Sequence, residues 1–315
     1  MNPEKKYFDS RIVPERKIDW KPYPIAIGTP FYNAIPFLDK YLTSLVEFDY
    51  PKNLISLFFT VQGDDGTYEA LRDFKRIYSK HYRKIKIVKK KMIRGGLCPH
   101  MRNIVWLRNL IVEWSKPYDL VFIDHDVFPP KHGLKRLIEG HLLGGDIVAG
   151  VYPFYQKKRL GFTAYFKINE MYYHTGLGRY GDKIFFPTYI LGKRFYSDAV
   201  GTGFSYISRK VLDVLKFHVP RNLKRTEDVE FCMDAREKGF KIISDFDLVV
   251  PHWGFKLSFI PYDDEKVQIL AYFSKEMVLR REEMRIKNIY RMIGDEPDEE
   301  DYTLYELRRR NKRNP

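Results

Sequence analysis

Asp124 and Asp126 stand two residues apart, with His125 between them, directly behind the apolar run Leu120 to Ile123. Two carboxylates at that spacing, with no Lys or Arg between them, repel each other, and a divalent cation is the usual compensation. Oxygen-rich sites of this kind suit Mg2+ or Mn2+, which keep coordination positions open for phosphate oxygens. The plainer alternative is a solvated acidic turn. A second acidic group, Glu227-Asp228 within Thr226-Glu227-Asp228-Val229-Glu230, opens a helical pattern downstream of Gly201-Thr202-Gly203. The glycines would let the backbone approach a ligand, and carboxylates at a helix start face the positive end of its dipole. Taken alone, helix capping with Thr226 as N-cap accounts for that cluster better. The third group is His252 in Val250-Pro251-His252-Trp253-Gly254, at the end of an apolar strand. Lone histidines are more often structural, but one at a strand end is placed to give a nitrogen to the same metal.

These groups need a scaffold that brings loop ends together. Ile25-Ala26-Ile27 reads as a buried strand that stops at Gly28, Thr29 and Pro30. A helix over about 35–48 follows, then a strand over 55–61 that ends in the turn residues Gly63, Asp64, Asp65 and Gly66. A helix over about 68–82, a strand over 85–88, a helix over 101–114 and the strand 120–123 complete the alternation. Strands alternating with helices give a parallel α/β sheet, whose ligands bind beyond the carboxyl ends of the strands. Past Asp126 a helix near 134–143 and a strand at 147–151 are expected, whereas 153–197 is rich in aromatic, Gly and basic residues without a clear period. Such a stretch builds the acceptor side of a cleft or a mobile lid, with an irregular extra sheet as the equal alternative. Helices over 208–215 and 229–238, the latter closed by Gly239, precede a strand within 241–250. Residues 263–293 carry the charge and spacing of a long amphipathic helix or a pair, ahead of an acidic knot at 295–301 and a basic end at 308–313.

The 315 residues, 44% of them hydrophobic, suffice for one large core. The organisation expected is an arm over 1–22, a catalytic domain over 23–260 with 154–198 as an acceptor-side insertion, and a charged helical extension over 261–315. No apolar run of about 18 residues occurs, and the start MNPEKKYFDS lacks the order of a secretory signal, so a cytoplasmic protein is expected. Cys98 and Cys232 are read as reduced thiols. The net charge of +14 invites nucleic acid as partner. On a first reading, however, Lys and Arg run along the whole chain rather than in one stripe, which suits a heat-adapted surface. Nucleic acid is therefore disfavoured, and an anionic membrane, touched peripherally from the cytoplasmic side, or a phosphate-bearing substrate is preferred.

In their order along the chain, these pieces resemble the family 2-like GT-A glycosyltransferases over residues 25–254. Ile27 to Asn33 is similar to their first strand and nucleotide loop, and Gln62-Gly63-Asp64-Asp65-Gly66-Thr67 to their Asp-Asp-Gly-Ser element. Arg108-Asn109, with Arg102-Asn103 as a competing register, resembles the helix that closes on the donor. Asp124-His125-Asp126 resembles the metal-binding DXD element, Gly201 to Phe204 the segment beneath the transferred sugar, and Glu227-Asp228 the Glu-Asp helix that holds the acceptor base of inverting members. The loop before the first helix lacks a Gly-rich, basic phosphate cradle, which disfavours a nucleotidyltransferase. No Gln-x-x-Arg-Trp motif follows the Glu-Asp helix, which argues against a processive synthase.

The resemblance implies a GT-A fold, a Rossmann-like, mostly parallel sheet flanked by helices. It implies a UDP- or GDP-sugar donor, Mn2+ or Mg2+, and a glycan, lipid-linked or protein acceptor. Asp126 with His252 would bind the metal, with Asp124 on the metal shell or the ribose. Thr29, Tyr32, Asp64 and Asp65 would line the base and ribose pocket, Arg108 would meet the diphosphate, and Gly201 and Gly203 the sugar. Asp228 would be the base, with Glu227 beside it. His252 also resembles a ligand found in retaining members, so the stereochemical outcome stays open. The competing classes are a nucleotidyltransferase that makes the nucleotide sugar and a non-catalytic basic binding protein on the same scaffold.

Overall fold

A computed structural model describes residues 3–95, 98–156, 159–168, 171–174, 177–180, 183–187, 190–222, 225–253, 255–263 and 266–273. Helix α1 (Pro3–Asp9) precedes a strand–helix alternation: β1 (Ile25–Tyr32), α2 (Ile35–Glu47), β2 (Ile55–Gln62), α3 (Thr67–Tyr78), β3 (Lys84–Lys89), α4 (Pro99–Ser115), β4 (Leu120–Ile123), α5 (Gly133–Leu142) and β5 (Ile147–Val151). The second half is richer in short strands: β6 (Pro153–Gln156), β7 (Arg159–Phe162), β8 (Ala164–Ile168), β9 (Met171–His174), β10 (Leu177–Tyr180), β11 (Lys183–Pro187), β12 (Arg194–Tyr196), β13 (Ala199–Val200) and β14 (Phe204–Ile207). It ends with α6 (Arg209–Leu212), α7 (Glu227–Glu237), β15 (Ile242–Val249), β16 (Phe255–Asp263) and β17 (Lys266–Phe273).

The central sheet has eight strands in the order β12-β15-β5-β14-β4-β1-β2-β3. β1 pairs in parallel with β2 and β4, β2 with β3, and β15 with β5, while β14 runs antiparallel between β4 and β5. The largely apolar runs LVFI and ISLFFTV, buried throughout, are what strands covered on both faces require. Within β1, Ile25, Ile27 and Phe31 meet the side chains of α2, α3 and α5, whereas Ala26 faces α4 and α7 across the sheet. This is the period of two expected of a strand. Gly28 lets α4 approach β1, because a Cβ there would lie 2.3 Å from Ile111 Cγ2.

One segment departs from the sequence expectations, one follows an alternative they left open, and the expected arm proves to be tied down. In residues 3–22, Phe8 and Val13 are buried, the Val13 amide donates to Arg194 O at 2.9 Å, and Glu15 pairs with the buried Arg194 at 2.8 Å. The segment thereby covers the edge strand β12, which would otherwise expose unpaired backbone groups. Over 153–197 the alternative of an extra sheet is what forms: β6 and β7 make a hairpin, and β13, β8 and β9 a three-stranded sheet. Finally, residues 266–273 form a strand, not a helix. β17 pairs antiparallel with β11 in a four-stranded sheet of order β10-β11-β17-β16, and the β-branched residues Val267 and Ile269 fall two apart, as a strand prefers. The helix expected beyond residue 273, the acidic knot and the basic end lie outside the described residues. Among the described residues, no helix is long and apolar enough to cross a membrane.

Candidate functional site

β4 ends at Ile123, and the Asp124 amide donates to Gly203 O at 2.8 Å, which carries the β4–β14 pairing one residue into the loop. The Val127 amide then closes a turn on Asp124 O at 3.1 Å. That turn is stitched to the chain leaving β15: the Trp253 amide donates to Asp126 O at 2.7 Å, the Phe128 amide to Pro251 O at 2.9 Å, and Val127 bridges His252. β4, β5 and β15 all point the same way, so Asp126 and His252 meet at the carboxyl end of the sheet.

His252 Nδ1 lies 2.7 Å from Pro153 O. A carbonyl only accepts, so Nδ1 carries the proton, and Nε2 is turned toward Asp126 Oδ2 at 3.3 Å. Burial alone would raise the Asp126 pKa, but the His252 charge and hydrogen bond outweigh it and hold the carboxyl well below its ordinary value. Burial lowers the His252 pKa, and Asp126 overcomes that and raises it. The pair therefore shares a proton when the imidazole is charged, and offers one oxygen and one nitrogen to a single cation when it is neutral.

Asp124 does not join them. Its Oδ1 and Oδ2 accept from Arg108 Nη2 at 3.0 and 3.4 Å. Among the described residues, no three His, Cys, Asp or Glu side chains are grouped to hold a metal. Asp126 and His252 thus face each other, while Asp124 stands apart on the Arg108 guanidinium. The pair leaves room for an ion that fills the rest of its shell with phosphate oxygens and water, and the imidazole nitrogen suits a softer divalent ion than Mg2+.

Arg108, only 3% exposed, sits on α4 with its guanidinium over Phe122 at 4.9 Å, and its Nε donates to Glu227 Oε1 at 3.3 Å. It clamps Asp124 to the start of α7, and its Nη1, like Thr202 Oγ1 nearby, is buried with no hydrogen-bond partner among the described residues. Glu227 is pushed well above its ordinary value by burial and by Asp228, against the pull of Arg108. Asp228 is raised as well, by burial first. Asp228 Oδ2 accepts from the Thr202 amide at 3.3 Å, and Oδ1 accepts from the Val229 amide at 2.8 Å and from the Thr226 hydroxyl. Thr226 occupies the N-cap position, but its hydroxyl serves Asp228 rather than a helix amide.

Tyr152, overlooked by the sequence reading, joins these groups. Its hydroxyl accepts from the Gly203 amide at 2.9 Å, its ring meets His252 edge-on at 5.4 Å between centroids, and burial together with the charges of Asp124 and Asp228 raises its pKa. Only its place at the carboxyl end of β5 could have signalled it. A Cβ on Gly201 would lie 2.6 Å from the Tyr152 hydroxyl, and one on Gly203 2.5 Å from it and 3.0 Å from Asp124 Oδ2. The Gly203→Ala variant is accordingly expected to lose about 1–3 kcal/mol of stability through overpacking, together with its ligand response. Denaturant unfolding of the variant measures the first, and an unchanged midpoint would show that Tyr152 moves aside freely.

The residues expected to line a nucleotide pocket are placed unlike one another. Tyr32 is 44% exposed at the end of β1, opposite Gln62, and the Asp64 side chain is 89% exposed beside Lys89 Nζ at 2.7 Å. Thr29 does not line a pocket, since it is fully buried with its hydroxyl bonded to that of Tyr41. The Asp65 carboxylate is consumed locally, accepting from the Ile35 amide at 3.0 Å, the Thr67 amide at 3.1 Å and the Thr67 hydroxyl at 2.6 Å, so it fixes the starts of α2 and α3. Of the two Arg-Asn registers, Arg108 reaches the acids, while Asn103 ties the 93–99 loop through Ile93 and Pro99.

No protein-family model matches the chain, and no curated protein matches it in sequence. Solved structures do match. A mannosyltransferase, PcManGT from Pyrobaculum calidifontis, in complex with GDP-Man and Mn2+, is 15% identical with a TM-score of 0.50, covering 75% of this chain and 60% of its own. GalNAc-T7 with UDP, GalNAc and Mn2+ is 12% identical with a TM-score of 0.53, covering 74% of this chain and 44% of its own. TarS of S. aureus, residues 1–349, is 19% identical with a TM-score of 0.45, covering 72% and 59%. The chain therefore matches less than two thirds of the length of each. It has the fold of the GT-A glycosyltransferases.

Proposed function

We propose that the protein is a glycosyltransferase that moves a sugar from a UDP- or GDP-sugar to an acceptor hydroxyl with the help of Mn2+ or Mg2+. The observation that carries this reading is the meeting of Asp126 and His252 at the carboxyl end of a GT-A sheet, with Asp124, Arg108, Tyr152 and Asp228 around it. Two solved structures of the same fold contain Mn2+ with GDP-Man or with UDP, which supports the choice of cofactor and donor. When bound, the cation would neutralise the charge that develops on the departing nucleoside diphosphate. Asp126 and His252 would hold it, and Asp124, oriented by Arg108, would take a ribose hydroxyl or a water. Arg108 Nη1 has capacity for one diphosphate oxygen, since a guanidinium matches phosphate geometry. Tyr32 and Asp64 meet the base and ribose, and Gly201 to Gly203 lie under the sugar. Asp228 accepts the proton of the attacking hydroxyl, which makes the reaction inverting. The segment 154–198 shapes the acceptor side.

A thermal-unfolding screen of nucleoside diphosphates with and without Mn2+ tests the reading. A ligand at 100 times its Kd adds about 2.7 kcal/mol of stability, so one base is expected to raise the midpoint only when metal is present. Stabilisation by a triphosphate alone, with pyrophosphate released on adding a sugar phosphate, would replace the assignment with a nucleotidyltransferase. No response to any nucleotide would leave a non-catalytic binding protein.

A further inference from the structure

The positive charge is less evenly spread than the composition suggests. Between Asp73 and Glu113 the chain holds twelve Lys and Arg and no Asp or Glu. One of them, Arg108, is buried in the site. The others follow the end of α3, the strand β3 and the loop into α4, and β3 is the outer strand of the central sheet. α3 and α4 contribute to the clusters on opposite faces of that sheet, so the cations form a rim that wraps its edge.

We propose that this rim is a docking surface for an anionic lipid bilayer. Lysines on an edge strand also deter edge-to-edge pairing, but that role does not need Lys80 before the strand or Lys91 and Arg94 after it, all exposed. Nor does it need apolar side chains displayed among the cations, yet Ile77 is 60% exposed and Met92 38% exposed. Cations attract anionic headgroups while such side chains enter the acyl boundary. A nucleic acid would use the aromatic rings instead, by stacking bases on their faces. Here cations lie over those faces: Lys86 over Trp114 at 3.8 Å, Lys90 over Trp106 at 5.7 Å and Arg83 over Tyr118 at 5.5 Å. The rim is thus a field of charge with two apolar points and covered rings, which matches a lipid surface. Because β3 is parallel with β2, β1 and β4, its end at Lys89 is the end of the sheet that carries Asp64 and Asp124. A docked molecule holds its site beside the bilayer. The inference stands on charge and exposure and does not depend on the reaction assigned above.

Co-sedimentation of the full chain with vesicles of phosphatidylcholine alone, and with about a third phosphatidylglycerol, at physiological salt is the test. Binding is expected only to the anionic vesicles. A triple variant, Lys84→Gln, Lys91→Gln and Arg94→Gln, is expected to bind about 100-fold more weakly, since each cation near the surface contributes about a five-fold factor. Its thermal-unfolding midpoint without ligand is expected to match wild type, which separates loss of docking from loss of fold. Met92→Ser is expected to leave the first encounter intact and shorten retention at raised salt. A second triple variant, Arg308→Gln, Arg309→Gln and Arg310→Gln, addresses the basic end. Loss of binding in that variant, with binding kept in the rim variant, would overturn the proposal. So would binding to single-stranded RNA at the same salt without binding to anionic vesicles, or equal binding to both vesicle types.

Discussion

Asp126→Ala is expected to abolish metal-dependent nucleotide binding while the protein stays folded. The carboxylate is the only anionic donor of the Asp126–His252 pair, with Oδ2 3.3 Å from His252 Nε2, and Asp124 is held on the Arg108 guanidinium rather than beside His252. Groups that merely orient a metal ligand are worth about 10- to 100-fold in affinity, and a direct ligand is expected to exceed that range. The fold should tolerate the change. The Asp126 carbonyl, which the substitution keeps, accepts from Trp253, and His252 retains its bond to Pro153 O. Without the carboxylate the imidazole has lost the group that raised its pKa, so it can stay neutral and adds no unpaired charge. His252→Ala is expected to weaken binding less, since it removes a neutral donor and leaves the carboxylate. Calorimetric titration of Mn2+ with nucleoside diphosphate into both variants is the measurement. Unchanged affinity in Asp126→Ala would remove the metal assignment, and unchanged affinity in His252→Ala would confine that histidine to bridging Val127.

The pairing of these two residues was legible because each follows an apolar strand, and strands of one parallel set deliver their ends to one side. The fate of Asp124 was not. Its type and spacing suggested a ligand, but the compensating charge comes from Arg108, and only burial distinguishes that residue from Arg102 one and a half turns earlier. The local bonds of Asp65 and Thr29 were hidden for a similar reason. A sequence places a carboxylate in a loop or a hydroxyl on a strand, but not the amides or the tyrosine that take its hydrogen bonds.

Glycine and proline misled at β1, which runs on through Gly28 and Pro30 to Tyr32. Gly28 is there for the approach of Ile111, and Pro30 lies beyond the last residue that pairs with β4. Tyr152 looked like one aromatic residue among many. Over 263–273 the charged residues drew attention to a helical spacing, and the shorter apolar period that β17 uses was missed. The basic rim was legible throughout, since it is contiguous in sequence, and a net charge summed over the chain concealed it.

Asp228→Asn separates a catalytic acid from a helix start. As part of the first turn of α7 alone, the carboxylate gains about 0.3–1 kcal/mol from the helix dipole, and the amide keeps an oxygen for the Val229 amide, so folding should barely change. As a general base it must take a proton from the acceptor hydroxyl, and its loss should slow transfer by about 10²- to 10⁴-fold. Burial raises its pKa, which brings a carboxylate closer to the range where a base works best. The wild-type rate should therefore fall, as pH is lowered, at a value above the ordinary carboxylate range, and Asp228→Asn should lack that limb. Donor affinity should survive, because Asp126 and His252 hang from other loops. Glu227→Gln is the contrasting case. It removes one of the two carboxylates that face the buried Arg108, and breaking a buried pair costs about 3–5 kcal/mol, so its effect should appear in unfolding before it appears in rate. Transfer rate, donor affinity and unfolding midpoint measured together in both variants decide the matter. A near-normal rate in Asp228→Asn would end its assignment as the base and leave Glu227 or a retaining mechanism as the account of the acids at α7.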